Sequence, residues 1–557
     1  MKCRFCARIR FSCVFYLVLL AVSGCSLKSN EKGEEVTTES LFTLLSPEQT
    51  GINFNNQLTE KPNINVLRYE YFYNGAGVAV GDINGDGLDD VYFTGNMTDN
   101  KLYLNKGKMQ FQDITDIAGV AGRPGPWKTG VTMADVNGDG NIDFYVCYSG
   151  KLRGEKRKNQ LFINKVKAGQ GVPVFTDEAE QYGLADSSYS TQSVFFDYDR
   201  DGDLDMLLLN HNPFKLSNLD EAGLVEVFKR PEPMTGIKLF KNNNRHFDEI
   251  TQSAGIKSSL LSYGLGVAVS DVNGDGWQDI YVSNDYDAPD YLYINNGNGT
   301  FRDELQKRID QTSHFSMGND ISDITNDGLP DIFSLDMLPE DNHRQKLLFA
   351  PDNYEMFNTK LHIGLYYQYM RNMLHLNNGN GSFSEVGQLA GISNTDWSWA
   401  PLFADYDNDG WKDLFVTNGY LRDFTNMDFL KYMGDELRDR NVVGEELLDI
   451  VKKMPASNVT NYLFKNNGDI TFTNKSSQWG LTVPSNSNGA AYADLDNDGD
   501  LDLVINNINQ PAFVYENKAN GQLNNNYLEI SLQGTGKNTQ GIGAKITAYN
   551  KGKQQVL

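Results

Sequence analysis

Short apolar runs recur along the chain, and each is bounded by segments rich in Asp, Asn and Gly. Residues 77 to 93 show the pattern first: GVAVG leads into DINGDGLDD, and the apolar VYF follows. Such short runs indicate strands rather than helices, because β-branched and aromatic residues dominate them and turn-forming residues close each end. The pattern therefore predicts two strands joined by an acidic loop.

The acidic loop places side-chain oxygens at positions 1, 3, 5 and 9 and a glycine at position 6. This spacing suits a hard cation such as Ca²⁺, with the main-chain carbonyl of Leu88 at position 7. An EF-hand begins in the same way but closes with Glu at position 12, where this chain has Phe93. We therefore expect Asp90, at position 9, to complete the coordination.

One copy would not separate a metal loop from an ordinary turn, because Asp, Asn and Gly also favour turns. The chain has seven copies, each followed by a β-rich run. The predicted ligands, at positions 1, 3, 5 and 9 of each loop, are Asp82, Asn84, Asp86, Asp90; Asp135, Asn137, Asp139, Asp143; Asp197, Asp199, Asp201, Asp205; Asp271, Asn273, Asp275, Asp279; Asp323, Thr325, Asp327, Asp331; Asp405, Asp407, Asp409, Asp413; and Asp494, Asp496, Asp498, Asp502. We expect up to seven Ca²⁺ ions. The loops beginning at Asp197, Asp405 and Asp494, with four aspartates each, should bind most tightly, and the loop with Thr325 most weakly.

A second motif follows each loop: L-Y/F-x-N, a polar turn, and then Phe, with an A-G-I/V/L ending in several copies. KLYLNKGKMQFQDITDIAGV (101–120) and MLHLNNGNGSFSEVGQLAGI (373–392) are examples. Each unit thus holds four short strands, and the units recur roughly every 50 to 90 residues, a period typical of propeller blades.

These units resemble FG-GAP/VCBS repeats of the integrin α-subunit type. The NGAGVAVGD opening and the order of elements resemble the cartilage acidic protein (ASPIC/UnbV) family, particularly its bacterial lipoprotein members. The resemblance implies an all-β, seven-bladed β-propeller over residues 46–519 with helical loop insertions. Residues 520–557 resemble the start of an ASPIC/UnbV module, as a fragment or a truncated module would. TGINF (50–54) is expected to supply the last blade's missing strand and close the ring.

The N-terminus predicts the location of the protein. Basic residues precede FSCVFYLVLLAV, which is too short to span a bilayer comfortably and has the length of a signal-peptide core. VSGC at 22–25 matches a lipobox, in which Cys25 is acylated; an ordinary secretory signal cut nearby is the alternative. We therefore expect a lipoprotein signal peptide (1–24), a flexible tether (25–45) and an outer-membrane lipoprotein of the cell envelope, facing the surface or the periplasm and held by lipid alone.

The net charge of the chain is consistent with a calcium-binding protein. The chain has 49 basic and 73 acidic residues, a net charge of −24, and loss of the signal peptide would make it −28. Seven Ca²⁺ ions would return half of that, so the acidity largely reflects cation ligands. An acidic surface argues against nucleic-acid binding. The basic cluster at 151–158 is the exception, and an ordinary solvated loop is its simplest interpretation. Cys147 would be the one unmodified cysteine left, so disulfides are not expected to stabilise the fold.

Catalytic signatures are not evident: the six histidines are scattered without metal-ligand spacing, and G-x-S-x-G does not occur. Long insertions at about 211–237, 337–371 and 420–460 should emerge opposite the acidic loops. Tyr366, Tyr367 and Tyr369 are the ligand-face candidates, with capping of the channel as the alternative role. The sequence predicts a binding or adhesion module for glycan or protein, not an enzyme. The alternative is a polysaccharide lyase or hydrolase acting on the insertion face.

Overall fold

Seven four-stranded antiparallel sheets make up the body of the protein in the computed structural model. The structure describes residues 40–166, 171–214, 221–348, 354–438, 442–457, 459–550 and 552–557. The first strand of each sheet contacts the first strands of both neighbouring sheets, and sheet 7 contacts sheet 1 in the same way. The predicted all-β, seven-bladed β-propeller is therefore confirmed.

Each blade has the predicted four strands. Blades 1 and 2 comprise Val78–Gly81, Asp90–Phe93, Lys101–Asn105 and Phe111–Asp113, then Lys128–Ala134, Asp143–Tyr148, Gln160–Asn164 and Phe175–Asp177. Blades 3 and 4 comprise Ser190–Phe196, Asp205–Asn210, Lys238–Asn242 and Phe247–Glu249, then Gly264–Ser270, Asp279–Asn284, Tyr291–Asn295 and Phe301–Asp303. Blades 5 and 6 comprise Asn319–Ser322, Asp331–Ser334, Met373–Asn377 and Phe383–Glu385, then Ser398–Ala404, Asp413–Asn418, Tyr462–Asn466 and Phe472–Asn474. Blade 7 comprises Ser487–Ala493, Asp502–Asn507, Phe513–Asn517 and, from the N-terminal side, Phe42–Leu45.

Helices occupy the connections. The longer ones are Glu221–Lys229, Asn342–Leu348, Tyr354–His362, Met427–Leu437 and Glu445–Lys452. Single turns are Pro47–Thr50, Thr115–Ala118, Gly154–Arg157, Ala179–Tyr182, Leu305–Arg308, Gly387–Ala390 and Ala519–Gln522, with a 3₁₀ turn at Glu70–Tyr73. The two helices at 427–452 confirm the helical character predicted for the third insertion.

The second strand of every blade is buried along its whole length, because both of its faces pack against other blades. In blade 2, Phe144 and Val146 pack toward blade 1, whereas Tyr145 and Cys147 pack toward blade 3. A strand covered on both faces has no polar side, which explains why these strands read as continuous apolar runs. Cys147 is free and buried among the described residues, as a small hydrophobe would be.

The propeller has two structurally different faces. The acidic face carries the seven acidic loops, which connect the first and second strands of each blade. The insertion face carries the connections between second and third strands, which include the long segments 211–237, 335–372 and 419–461. Because the strands of a blade alternate in direction, the acidic loops and the long insertions lie on opposite faces, as predicted.

Ring closure uses a different segment from the one predicted. Phe42–Leu45 pairs antiparallel with Phe513–Asn517 and completes blade 7, whereas residues 50–54 do not form a strand. Ser46 and Gln49 form a capping box that begins a helical turn, and Gly51 ends it at φ +79°. Phe54 instead stacks on Phe93 with ring centroids 4.8 Å apart, wedged between blades 7 and 1.

The domain boundaries shift accordingly. Residues 42–45, expected in the tether, belong to the propeller because their backbone completes a sheet edge. The predicted signal peptide, Cys25 and the tether up to residue 39 lie outside the described residues. Within the described chain, no helix combines the length and apolarity needed to cross a membrane. Residues 525–557 contain one hairpin, Thr547–Asn550 with Lys553–Val556, and lie along the acidic face.

We predict that Phe42→Ala destabilises the whole propeller. The Phe42 ring is 1% exposed and packs edge-on against Tyr406 at 6.0 Å, so its removal leaves a cavity between blades 6 and 7. The expected loss is about 3 to 5 kcal/mol in the free energy of unfolding, measured by urea denaturation. Thr43→Ala, in the same strand but partly exposed, is the control. Equal stability of the two variants would contradict closure by this strand.

Candidate metal-binding loops and ligand face

The seven acidic loops share one hydrogen-bonded geometry. At position 1, one carboxylate oxygen accepts the position-5 N–H at 3.0 to 3.2 Å and the other accepts the position-6 N–H at 2.7 to 3.0 Å. The position-6 glycines all lie at φ between +83° and +93°. Glycine is required there because this backbone conformation disfavours any residue with a Cβ.

The aspartate at position 9 begins the second strand and is at most 2% exposed. Its Oδ1 accepts the N–H of the asparagine that ends the third strand at 2.7 to 2.9 Å, and its Oδ2 accepts the position-2 N–H at 2.9 to 3.3 Å. Burial raises the pKa of this carboxyl, to about 7 in Asp90 and about 9 in Asp502. A bound cation would hold it ionised.

The asparagine of the L-Y/F-x-N motif connects neighbouring blades. Asn105 Nδ2 donates to the carbonyl of Leu495, at position 2 of the blade 7 loop, at 2.8 Å. The equivalent bond to the preceding blade is made by five further asparagines: Asn164, Asn295, Asn377, Asn466 and Asn517. In the sequence this asparagine served only to mark the repeat. Its recurrence in all seven third strands was nevertheless an indication of a structural role.

A loop can coordinate a hard cation only if some of its oxygens are not already occupied by hydrogen bonds. Four position-3 side chains have a buried oxygen without a hydrogen-bond partner among the described residues: Asn137, Asp199, Thr325 and Asp496. In the three loops with four aspartates, the carboxylate oxygens at positions 1, 3 and 9 lie within 4.8 Å of one another. Converging, unpartnered oxygens are what a hard cation requires, so these Asp clusters could hold metal ions.

The predicted ligands are not all equally available. The position-5 aspartate of every loop uses one oxygen to accept the position-7 N–H, at 2.9 to 3.2 Å. In the loops of blades 1, 4 and 6, the position-3 oxygen accepts the position-5 N–H. The structure brings the carboxylates at positions 1, 3 and 9 together in blades 3, 6 and 7, and the position-5 aspartate is exposed in every loop except that of blade 6.

The insertion face is closed over the channel by aromatic side chains. The cap segment, residues 58–73, inserts Tyr69, Tyr71, Phe72 and Tyr73 into a cluster that includes the helices at 427–452. Capping was the alternative role considered for the insertions, and the third insertion contributes to it. Below the cap, an axial cavity of about 290 Å³ is lined by Tyr69, Tyr71 and side chains of the first strands.

A serine–histidine pair lies at the wall of this cavity. Ser149 Oγ and His211 Nε2 are 2.7 Å apart, and both residues are at most 1% exposed. Burial lowers the pKa of His211 to about 3, so the imidazole is neutral. The rings of Tyr69 and Tyr71 pack against it, and the arrangement is that of a buried structural hydrogen bond.

The three ligand-face tyrosines have different environments. Tyr367 and Tyr369 are 45% and 38% exposed, and both rings contact Phe357, at 6.5 and 6.0 Å. Tyr366 instead turns inward: its hydroxyl donates to the Ile309 carbonyl at 2.8 Å. The structure thus assigns two of the three to an exposed patch and one to packing, because the backbone turns at Tyr366, where φ is +61°, before the short strand Gln368–Tyr369 begins.

The basic cluster at 151–158 is largely engaged in internal contacts. Lys151 Nζ donates to the Arg68 carbonyl at 2.8 Å, and Lys158 pairs with Glu180 at 2.7 Å. Arg157 is 5% exposed, and its guanidinium lies 4.0 Å from the Tyr189 ring centroid. These contacts give the cluster a structural role at the edge of the insertion face.

Sequence comparison connects this architecture to known proteins. The FG-GAP-like repeat family matches residues 82–146, 271–334, 363–416 and 447–505. Cartilage acidic protein 1 of Homo sapiens is 22% identical over 506 residues, which cover 85% of this chain and 62% of the human protein. The chain therefore spans less than two thirds of the length of that relative.

Two solved structures share weaker similarity. An Agrocybe aegerita lectin described as recognising non-reducing terminal N-acetylglucosamine gives a TM-score of 0.37 at 16% identity and covers 77% of this chain and 88% of its own. A rhamnogalacturonan lyase gives 0.36 at 10% identity and covers 80% and 72%. At these scores neither structure bears on the ligand of this chain.

We predict that chelation lowers the melting temperature. Three loops have carboxylate oxygens that converge where a cation could bind, and an ion bound only by the folded state would add about 1.4 kcal/mol per site at a free concentration ten times its Kd. Differential scanning calorimetry in EGTA and in excess CaCl₂ measures the effect. EGTA saturated with calcium is the control. Identical melts in both conditions, with no calcium found by elemental analysis, would rule out the calcium interpretation.

Proposed function

Because the chain is an FG-GAP repeat protein homologous to cartilage acidic protein 1, we propose that it is a calcium-stabilised, surface-anchored binding module. An FG-GAP propeller supports a binding role in general. The finer proposal is that a glycan or protein ligand docks on the insertion face, at the aromatic patch formed by Phe357, Tyr367 and Tyr369.

The observation that carries this proposal is the exposure of that patch. Tyr354, at the start of the same helix as Phe357, is 74% exposed, and Met356 is 49% exposed. Isolated exposed apolar side chains are ordinary, but several in contact with one another mark an interaction surface. Flat aromatic rings with polar groups beside them are suited to stacking against sugar rings or apolar protein side chains.

Backbone hydrogen bonds hold the segment that carries Tyr367 and Tyr369 in place. Gln368–Tyr369 pairs in parallel with Thr312–Ser313, and Tyr367 O accepts the Thr312 N–H at 2.9 Å. The Arg371 guanidinium lies 5.4 Å from the Tyr369 ring centroid and also pairs with Glu385 at 3.1 Å. A rigid aromatic surface loses little conformational entropy on binding, which favours affinity.

Charge near the patch is mostly compensated. Lys360 pairs with Asp287 at 2.7 Å, and Glu385 is held by Arg371. An uncharged sugar surface therefore fits better than a strongly charged partner. A polysaccharide lyase or hydrolase would need an ionisable group free to transfer a proton beside the bound sugar, so product release is included as a readout below.

We predict that the double substitution Tyr367→Ala/Tyr369→Ala strongly reduces ligand affinity while leaving the calcium-dependent melt nearly unchanged. Loss of two stacking rings should weaken binding about tenfold or more. The measurement is a glycan and polysaccharide array, followed by titration of the strongest hit in calcium and in EGTA. Release of reducing or unsaturated ends during the titration would indicate an enzyme instead.

Two controls separate recognition from folding. Tyr549→Ala removes a tyrosine that is 77% exposed on the acidic face and should leave binding intact. Tyr366→Ala should lower the melting temperature, because it removes a packed ring and its hydroxyl bond to Ile309. Unchanged affinity in the double variant would place the ligand elsewhere on the propeller.

The proposed anchor is tested independently. If Cys25 is acylated, Cys25→Ser should abolish labelling by an alkyne-tagged fatty acid and move the protein from the membrane fraction to the soluble fraction, since the lipid is the only attachment proposed. Cys147→Ala is the matched control, because it removes a buried thiol of the propeller core and leaves the lipobox unchanged. Persistent labelling of the Cys25→Ser protein would refute the lipoprotein assignment.

A further inference from the structure

One position in the third strand differs in charge from blade to blade, although the acidic loops beside it share one geometry. It is the third-strand residue just before the asparagine whose main-chain N–H bonds to the position-9 aspartate of the same blade. In chain order its occupants are Leu104, Ile163, Lys241, Ile294, Leu376, Lys465 and Glu516. The scaffold is the same in all seven blades, whereas the charge at this position is zero, positive or negative.

Two blades place an ammonium group on the loop carboxylates. In blade 3, Lys241 Nζ contacts Asp199 Oδ2 and lies 3.2 Å from Asp201 Oδ2. In blade 6, Lys465 Nζ contacts Asp407 Oδ2 and lies 2.5 Å from Asp409 Oδ2. These are the side chains at positions 3 and 5, which a metal ion in the loop would need.

Aromatic rings help to hold both lysines in place. The Lys241 Nζ is 5.9 Å from the Tyr198 ring centroid, and the Lys465 Nζ is 5.9 Å from that of Trp479. The two side chains are each 27% exposed, so water screens the charge only in part. A positive charge at this distance opposes the binding of a divalent cation in the same loop.

Blade 7 has the opposite arrangement. Glu516 occupies the same position, and its carboxylate lies 3.9 Å from the Lys518 Nζ just beyond the strand. The Asp496 Oδ1 is buried without a hydrogen-bond partner among the described residues. The blade 7 loop therefore has a carboxylate at this third-strand position, and within the described part of the chain its predicted ligands form no ion pair with a lysine.

We propose that this third-strand residue sets the cation occupancy of each loop. Lys241 and Lys465 act as built-in cations that replace a metal ion in blades 3 and 6, and Glu516 makes the blade 7 loop the tightest metal site of the chain. The inference rests on the calcium part of the proposed function. It reverses the simple expectation that the three loops with four aspartates bind alike, since only one of them lacks its own counter-charge.

The test compares calcium binding by the full chain and its single variants. Lys241→Met and Lys465→Met keep the length of the side chain and remove the charge. Each should gain one ion per chain in equilibrium dialysis with radioactive calcium, or tighten one site by at least about tenfold. Glu516→Gln should weaken the tightest site. Lys101→Met is the matched control, because Lys101 lies at the other end of a third strand and pairs with Asp113 at 2.7 Å.

Melting curves give a second measurement on the same proteins. In EGTA, the two lysine variants should melt below the parent, because their loop carboxylates lose a counter-charge, and calcium should raise their melting temperatures by more than it raises that of the parent. Calcium stoichiometry and affinity that match the parent in both folded lysine variants would overturn the proposal alone. Absence of calcium binding in every protein would overturn it together with the calcium part of the proposed function, and binding to the aromatic patch would remain testable separately.

Discussion

A buried carboxylate at the start of each second strand is the interaction on which the propeller depends. Burying a charge is costly unless its oxygens are satisfied, and here both oxygens of Asp90 accept main-chain N–H groups, one from the loop and one from Asn105. The Asn105 side chain then bonds to the carbonyl of Leu495 in the neighbouring blade. One residue pair therefore fixes the loop, the strand order and the junction between blades.

This constraint explains why the two faces differ. On the acidic face the backbone is held by the aspartates themselves, so loop length and glycine position hardly vary among blades. On the insertion face, connections of very different length leave the same scaffold, from 508–512 in blade 7 to 419–461 in blade 6. Variation in loops with a rigid support is the usual way in which one fold acquires different ligands, which is why the proposed ligand site lies there.

The N-terminal segment stabilises the closed ring in two ways. Phe42–Leu45 completes blade 7, and the cap segment at 58–73 fills the insertion-face end of the channel with tyrosine and phenylalanine side chains. Between them, Phe54 wedges against Phe93 where the first and last blades meet. Both ends of the propeller chain therefore share a sheet and a core, so opening of the ring would expose two sheet edges at once.

The sequence by itself determined the repeat: seven loops, four strands per blade, the helices at 427–452 and the separation of the two faces all follow from short-range spacing and strand alternation. Only the tertiary structure decided that residues 42–45, not 50–54, close the ring, because the choice depends on pairing with residues 513–517 far along the chain. It also decided that Tyr366 packs inward and that Lys241 and Lys465 reach the acidic loops. Loop spacing and strand alternation are local properties of the chain, whereas a counter-charge or a packing partner can come from any strand that folding brings close.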